Sequence, residues 1–189
     1  MKIGLISDTH NLLRPEVLDA LNGIDDVLHA GDMNSQAVLV RLQEISSVYA
    51  VRGNADKEWA EHLPTFLDFE LGGLHIFMTH RKKDLPANLE PYDLVMVGHS
   101  HSYSDTLLDK TRIINPSSCG PRRFHQPITM VVAENAGGSI EITRIDIAHP
   151  APSPKIDPND IAAQIEVVVK EFNKGRSASK TAEKYGIDS

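Results

Sequence analysis

Seven side chains with oxygen or nitrogen donor atoms stand just after segments that have the composition of apolar strands. They are Asp8, His10, Asp32, Asn54, His80, His99 and His101. Carboxylates, an amide and imidazoles together suit manganese, iron, zinc or nickel, and no thiolate is among them to demand a softer metal. Seven donors are too many for one ordinary ion but enough for two if one carboxylate bridges them. The pattern therefore predicts a site for two divalent ions.

Each donor alone has an ordinary structural explanation. An aspartate after a strand most often caps a helix, and an asparagine there most often occupies a turn. The pair His99 and His101 is more informative, because two histidines two residues apart beside a glycine have few structural uses. Glycines precede three of the donors, at Gly31, Gly53 and Gly98, where a missing β-carbon permits close approach of the backbone. The prediction of a metal site depends on the repetition at five strand ends.

The first third of the chain alternates strands with helices. The strands are predicted at Lys2–Ile6, Asp26–Ala30 and Ser47–Val51, and amphipathic helices at Pro15–Leu21 and Ser35–Ile45. This order predicts a parallel sheet with right-handed crossovers. Ligand sites in open sheets of this kind assemble beyond the carboxyl ends of the strands, which is where the first four donors stand.

The middle of the chain is rich in strands and predicts a second sheet. Phe66–Leu71 and Leu74–Thr79 flank Gly72-Gly73, a typical hairpin turn. Further strands are predicted at Leu94–Val97, Thr106–Leu108, Arg112–Ile114, Ile128–Ala133 and Ser139–Ile147. Two packed sheets with helices outside them are the simplest architecture for this order.

Five short motifs together resemble those of the calcineurin-like metallophosphoesterase superfamily. They are Asp8-x-His10, Gly31-Asp32, Gly53-Asn54, Thr79-His80 and Gly98-His99-Ser100-His101. With Asn115-Pro116-Ser117-Ser118 and the short length, they resemble its small prokaryotic YfcE-type phosphodiesterase branch, over about residues 1 to 147. The resemblance implies a four-layer αββα sandwich, an α/β fold of two mixed β-sheets flanked by helices.

The same resemblance implies roles for the donors. Asp8, His10 and His101 would bind the first ion, Asn54, His80 and His99 the second, and Asp32 would bridge the two. Manganese is the expected metal, with iron, nickel and zinc as alternatives. The expected reaction is hydrolysis of a phosphate ester, most often a diester, by a metal-bridging hydroxide. Asp32, Asn54 and His80 are the expected catalytic residues, and Asn54 would also contact the substrate phosphate.

Four positions near the motifs depart from the family pattern or extend it. Many relatives carry a histidine after Gly-Asn that can protonate the leaving group, but here the residue is Ala55. Asp56 is expected to order the ligands rather than to act as an acid. Ser117 stands where the branch commonly has glycine. Arg122 is a candidate contact for the substrate phosphate, although a solvated loop arginine explains it equally well.

The last forty residues differ in composition from the rest. We predict a metallophosphoesterase domain at 1–148, a proline-rich linker at 149–158 and a C-terminal helical extension at 159–189. Residues 155–189 carry six basic and six acidic residues, so DNA binding is not expected. Packing on the domain or assembly into a homodimer or higher oligomer accounts better for the apolar stripe of the extension.

Overall composition limits the remaining possibilities. The net charge of −7 argues against nonspecific nucleic-acid binding, so nucleic acid is expected only as a substrate, beside small phosphate esters. A single cysteine and the lack of a signal peptide or long apolar run predict a cytoplasmic protein without a membrane anchor. The main alternative function is a catalytically weak or inactive protein-binding scaffold, as in the retromer subunit of the same fold. Retention of all seven donors favours the enzyme.

Overall fold

The computed structural model describes residues 1–122, 126–136 and 139–147, together with residues 165, 166 and 169. The contacts of the chain divide it into two units, Met1–Ala148 and His149–Ser189. The predicted linker at 149–158 lies outside the described residues, as does nearly all of the predicted extension. Ile165, Glu166 and Val169 of that extension have helical backbone.

The first sheet contains the three strands that precede the first four donors. Strands β1 (Lys2–Ile6), β2 (Asp26–His29) and β3 (Ser47–Ala50) are parallel, and helices α1 (Pro15–Ala20) and α2 (Gln36–Gln43) connect them. Strands β9 (Thr129–Ala136) and β10 (Ser139–Asp146) extend the sheet antiparallel from β1, in the order β10-β9-β1-β2-β3. The predicted alternation of strand and helix is confirmed.

The second sheet carries the remaining donors. Its strands are β4 (Phe66–Leu71), β5 (Leu74–Thr79), β6 (Leu94–Met96), β7 (Ser104–Leu108) and β8 (Thr111–Asn115), in the order β4-β5-β6-β8-β7. Strands β5, β6 and β8 are parallel, whereas β4 and β7 pair antiparallel at the edges. Both sheets are therefore mixed, as expected.

Alternation of side chains along the strands produces two main apolar layers. In β1, Ile3 and Leu5 point between the sheets and pack with residues such as Ile76 and Leu94 of the second sheet. Ile6 points to the other face, where the helices cover it. Each sheet buries one face on the other, and the loops that follow β1 and β6 meet at one edge of the sandwich.

The two outer layers differ in secondary structure, since helices cover the first sheet and a mostly irregular segment covers the second. Helices α1 and α2 cover the first sheet through buried side chains such as Val17, Leu39 and Leu42. Over the second sheet, Leu85 and Leu89 pack against Phe77 and Val95, from a segment whose only helical turn is the 3₁₀ turn Lys82–Asp84. The αββα sandwich is confirmed, and its fourth layer is mostly irregular. None of the helices among the described residues is long and apolar enough to cross a bilayer.

Candidate metal centre

The loops that follow β1, β2, β5 and β6 are bonded to one another at the shared edge of the sandwich. The backbone N–H of Asp8 donates to the carbonyl of Gly31 at 3.0 Å, and that of Gly98 donates to the carbonyl of His80 at 3.0 Å. The N–H of His99 donates to Oδ2 of Asp8, also at 3.0 Å, and this bond joins the two sheets. The loops therefore hold donors from both sheets in one place.

One cluster contains Asp8, His10 and His101. One donor atom of each residue lies within 4.8 Å of the others. The two Nε2 atoms are 3.2 Å apart, and Oδ1 of Asp8 lies 3.1 Å from that of His101 and 3.8 Å from that of His10. One carboxylate oxygen and two imidazole nitrogens thus surround a single point, which is the arrangement expected of the ligands of a cation.

Of the two oxygens of the Asp8 carboxylate, only one accepts hydrogen bonds from the described residues. Oδ2 accepts hydrogen bonds from the Ser7 hydroxyl at 2.6 Å and from the His99 backbone. Oδ1 is fully buried and accepts no hydrogen bond of acceptable geometry within the described part of the chain. A buried carboxylate oxygen without a donor is costly, and a cation at this place would satisfy it.

The second cluster contains Asp8, Asp32 and His80, whose donor atoms also lie within 4.8 Å of one another. His80 Nε2 lies 3.4 Å from Oδ1 of Asp32 and 3.1 Å from Oδ1 of Asn54. His80 Nδ1 lies 2.7 Å from the carbonyl of Ala30, which can only accept, so Nδ1 carries the hydrogen. In neutral His80, Nε2 therefore directs a lone pair towards the two oxygens, which is the usual tautomer of a metal-ligating histidine.

His99 is less closely associated with either cluster. Its ring packs edge-on against the ring of His80 at 5.1 Å between centroids, and its side chain is exposed. Neither three-residue cluster found among the described residues includes it. The structure thus brings six of the seven predicted donors into contact and leaves the seventh beside them.

The electrostatics of the site favour positive charge. Burial alone would raise the pKa of Asp32, but hydrogen bonding to His80 and to the Ala55 N–H lowers it to about 2. For Asp8, burial likewise acts to raise the pKa, and contacts with His101 and Ser7 outweigh it, so the net shift is downward. Both carboxylates are therefore ionised at neutral pH. Burial would lower the pKa of His80, yet the Asp32 carboxylate raises it overall.

Five of the seven donors lie on residues with left-handed backbone. The φ angles of the five are 54° at Asp8, 44° at His10, 59° at Asp32, 71° at His99 and 55° at His101. Non-glycine residues rarely adopt this conformation, which costs on the order of 1–3 kcal/mol at each position. Such strain persists only where the surrounding structure fixes it, and it concentrates at functional sites. The left-handed backbone of these loops therefore brings the donor side chains together, and it lowers the free energy of unfolding.

The predicted glycines have a clear steric reason. A β-carbon on Gly53 would lie 2.1 Å from Oδ1 of Asp32, and one on Gly98 would lie 2.1 Å from Oγ of Ser7 and 3.0 Å from Oδ2 of Asp8. The two distances of 2.1 Å are shorter than real contacts of a β-carbon, and the atoms concerned are a donor, Oδ1 of Asp32, and a direct support of one, Oγ of Ser7. Glycine at both positions lets the loops pass close behind the carboxylates.

Asp56 supports the site through three backbone hydrogen bonds. Its Oδ2 accepts from the N–H of Asp32 and of Gly53, each at 2.9 Å, and its Oδ1 accepts from the N–H of Asn34 at 2.7 Å. The side chain is 2% exposed. The carboxylate thus ties the loop after β2 to the loop after β3, as the expected ordering role requires.

Two asparagines support the donors without having been predicted from the sequence. Oδ1 of Asn34 lies 3.3 Å from Nδ1 of His10, which leaves Nε2 of that ring for the cluster. Nδ2 of Asn115 donates to the carbonyl of Gly98 at 2.8 Å and to Oγ of Ser100 at 3.0 Å. Asn115 belongs to a motif quoted for the resemblance, but nothing in the sequence distinguishes Asn34 from an ordinary turn residue.

The hydrogen bonds of Ser117 give a reason for serine at a position where the family branch commonly has glycine. Its φ of 71° lies in the left-handed region, where glycine would be unstrained. The serine hydroxyl donates to the carbonyl of His101 at 2.8 Å, and the carbonyl of Pro127 lies 3.2 Å from it. The contact with His101 means that the hydroxyl of Ser117 helps to fix a donor-bearing loop.

Two further side chains, those of His29 and Trp59, have structural places. His29 is fully buried, and burial lowers its pKa to about 4. Its Nδ1 accepts from the Gly31 N–H at 3.1 Å, so Nε2 donates to the hydroxyl of Thr9, also at 3.1 Å. Trp59 packs against the apolar layer beneath the helices. Arg122 is exposed and lines a small depression together with His101.

Comparison with known proteins agrees with this geometry. Residues 1–138 match the calcineurin-like phosphoesterase superfamily domain. A protein of Methanothermobacter thermautotrophicus named as a probable metallophosphoesterase is 30% identical, over 70% of this chain and 85% of that protein.

Two solved structures are similar in fold. The structure described as that of a novel archaeal phosphodiesterase has a TM-score of 0.66 at 26% identity, over 78% of this chain and all of that one. Vps29 of Chaetomium thermophilum has a TM-score of 0.63 at 18% identity, over 78% of this chain and 97% of that one, and shows likeness of fold alone. From the domain match, the sequence relative and the shared fold, this chain belongs to the calcineurin-like phosphoesterase superfamily.

Proposed function

We propose that this protein is a phosphodiesterase that works with two divalent metal ions. Asp8, His10 and His101 would hold the first ion, Asn54, His80 and His99 the second, and Asp32 would bridge them. The observation that carries this proposal is the buried Oδ1 of Asp8, which faces two imidazole nitrogens and accepts no hydrogen bond among the described residues. A carboxylate oxygen in such surroundings has the chemistry of a metal ligand.

The donor set also supports particular metals. Imidazole and carboxylate ligands suit manganese, which is our first choice, and they also suit iron, nickel and zinc. When bound, the two ions would supply positive charge and lower the pKa of water, so that hydroxide becomes available as a nucleophile near neutral pH.

The chain's own groups would orient the substrate and hold its charge. The Asn54 amide offers an oxygen to an ion and an NH₂ group to a non-bridging phosphate oxygen. His80 is held by the Ala30 carbonyl in the tautomer that keeps Nε2 available. Asp32 is held by the Ala55 N–H, 2.7 Å from its Oδ1. Arg122 remains a candidate contact for the substrate phosphate at the other side of the site, near His101.

Position 55 lacks a side chain that can protonate the leaving group. Ala55 contributes only its backbone N–H, and the neighbouring Asp56 is engaged by three backbone donors. The enzyme should therefore act best on esters whose leaving oxygen is stable as an anion, such as aryl esters. The archaeal phosphodiesterase of similar fold supports a diester rather than a monoester substrate.

A scaffold without strong catalysis is the second candidate, because Vps29 shares the fold. It is less well supported here, since all seven predicted donors are present and Oδ1 of Asp8 is buried without a hydrogen-bond donor among the described residues. A cytoplasmic location, a small-molecule phosphate ester as substrate and a homodimer remain expectations from the sequence.

The test is metal-dependent hydrolysis of bis-p-nitrophenyl phosphate by the full chain. We expect turnover with Mn²⁺, none with EDTA, and slower turnover of p-nitrophenyl phosphate at equal concentration. Asp32→Ala should lose at least about 100-fold in kcat, since it removes the proposed bridge. His62→Ala, which alters an exposed histidine outside the site, is the control and should keep full activity. Equal rates with and without metal, or an active Asp32→Ala protein, would contradict the proposal.

A further inference from the structure

A groove opens beside the second cluster and continues away from it. Its volume is about 400 Å³, which lies within the range of small-ligand sites. Asn54 and His80 form part of its wall, together with residues on either side of them in the chain: Arg52, Gly53, Asp56, Lys57, Thr65, Thr79, Arg81 and Asp84. A substrate whose phosphate lies at Asn54 and His80 would therefore place one of its ester groups in this groove.

The groove carries excess positive charge in an acidic protein. Three cationic residues line it, Arg52, Lys57 and Arg81, against the acidic residues Asp56 and Asp84. The Asp56 carboxylate is already compensated by three backbone N–H groups. The whole chain has a net charge of −7, so this local excess is opposite to the overall charge. Positive charge concentrated beside a phosphate site attracts anionic ligands.

Two of the three cations have donors available to a ligand. The half-buried Arg81 makes no side-chain hydrogen bond or ion pair with any other described residue. The exposed Lys57 has a single contact, 3.5 Å from its Nζ to the carbonyl of Asn54. Arg52 differs, because its guanidinium donates to the backbone carbonyls of Asp56 and Lys57. Arg52 thus contributes charge and fixes the wall, whereas Arg81 and Lys57 can reach a bound group.

The placement of these cations in the chain links them to the metal centre. Arg81 directly follows His80, and Lys57 comes three residues after Asn54. The loops that present His80 and Asn54 therefore also present Arg81 and Lys57 to the groove. An anionic group bound by Arg81 and Lys57 would lie at a fixed distance from the scissile phosphate.

We propose that the groove binds a second anionic group of the substrate, a phosphate joined to the scissile diester through a linker such as a nucleoside. This inference rests on the proposed function and narrows its substrate class to phosphodiesters with an additional terminal phosphate. Arginine forms paired hydrogen bonds with phosphate oxygens, and lysine adds a point charge. Arg81 and Lys57 are then specificity-determining residues rather than catalytic ones.

The test compares dinucleotides that differ only in a terminal phosphate. The Mn²⁺-loaded full chain is given d(TpT), its 5′-phosphorylated form d(pTpT) and its 3′-phosphorylated form d(TpTp), with bis-p-nitrophenyl phosphate as the reference. For the wild type we expect kcat/KM about tenfold higher for one phosphorylated form than for d(TpT), as a charge-assisted contact provides. Arg81→Ala, and more so the double variant with Lys57→Ala, should bring this ratio close to one.

Lys83→Ala is the matched control, because it removes an exposed lysine outside the groove lining and should leave the ratio unchanged. A wild type that hydrolyses the reference diester but shows no preference for a phosphorylated dinucleotide overturns this inference and leaves the proposed function standing. An Arg81→Ala and Lys57→Ala double variant that keeps the preference also overturns it. A protein that hydrolyses none of the four substrates overturns the proposed function and this inference with it.

Discussion

Asp56 offers the sharpest test of how the donor loops are held in place. The change Asp56→Asn preserves shape and replaces one carboxylate oxygen by an NH₂ group. Oδ2 accepts two of the three backbone hydrogen bonds, so the amide oxygen is best placed there. The NH₂ group then faces the N–H of Asn34, a donor opposite a donor, and that bond is lost.

The expected cost follows from these three bonds. Losing one charge-assisted bond and leaving a partly buried donor unpaired costs about 2 kcal/mol. The two remaining bonds lose the assistance of a full negative charge, which costs about 0.5 kcal/mol each. We therefore expect Asp56→Asn to lower the free energy of unfolding by about 3 kcal/mol. Because Asp32 and Gly53 share the affected loops, the variant should also bind Mn²⁺ more weakly.

Urea denaturation in EDTA, followed by circular dichroism, measures the change in stability without a contribution from ion binding. Asp84→Asn is the matched control, since it makes the same chemical change on an exposed side chain and should stay within about 0.5 kcal/mol of the wild type. An Asp56→Asn protein as stable as this control would refute the supporting role given to the carboxylate.

Three further predictions concern single positions. Ser117→Ala keeps the left-handed backbone but removes the hydroxyl hydrogen bonds, so it should lower the free energy of unfolding by about 1–2 kcal/mol. Ser117→Gly loses the same bonds but relieves the backbone strain, so urea denaturation should show it to be the more stable of the two variants. Gly98→Ala should displace Ser7 and lower Mn²⁺ affinity at least about tenfold by calorimetry, and unchanged affinity would contradict the steric argument. The hydrogen bond to the Asp68 carboxylate raises the pKa of His75. This pair therefore stabilises the fold fully when the pH is below 6.5, the ordinary pKa of histidine. The stabilisation is lost as the pH rises through the raised pKa. The difference in unfolding midpoint between wild type and Asp68→Asn should therefore shrink from pH 6 to pH 9, and a difference independent of pH would exclude the ion pair as its cause.

Much of the fold could be predicted from local sequence patterns. Apolar runs such as Lys2–Ile6 and Leu74–Thr79 form strands with the predicted bounds. They could be predicted because a short run of apolar residues is itself the signal of a buried strand. The convergence of the donors also followed from topology, since parallel strands end at a common edge. The irregular fourth layer did not follow, because the segment at 85–89 has no helical spacing to reveal what it covers.

The support of the site could be predicted only in part. The role of Asp56 was expected in kind, but its bonds to Asp32 and Asn34 join residues more than twenty positions apart, and sequence spacing does not encode them. Left-handed backbone at His10 or His101 is equally invisible, because those residue types do not require it. The charge of the groove comes from loops that follow β3 and β5, and only the folded chain brings these loops together.

Counting the ions bound to each chain tests the central claim most directly. Equilibrium dialysis against Mn²⁺ followed by elemental analysis should give two ions per wild-type chain. His101→Ala and His80→Ala should each retain about one, because they alter different clusters, and His62→Ala should retain two. Wild-type protein that binds no ion, or that binds only one with both site variants equally affected, would contradict a centre built from two clusters around Asp8 and Asp32.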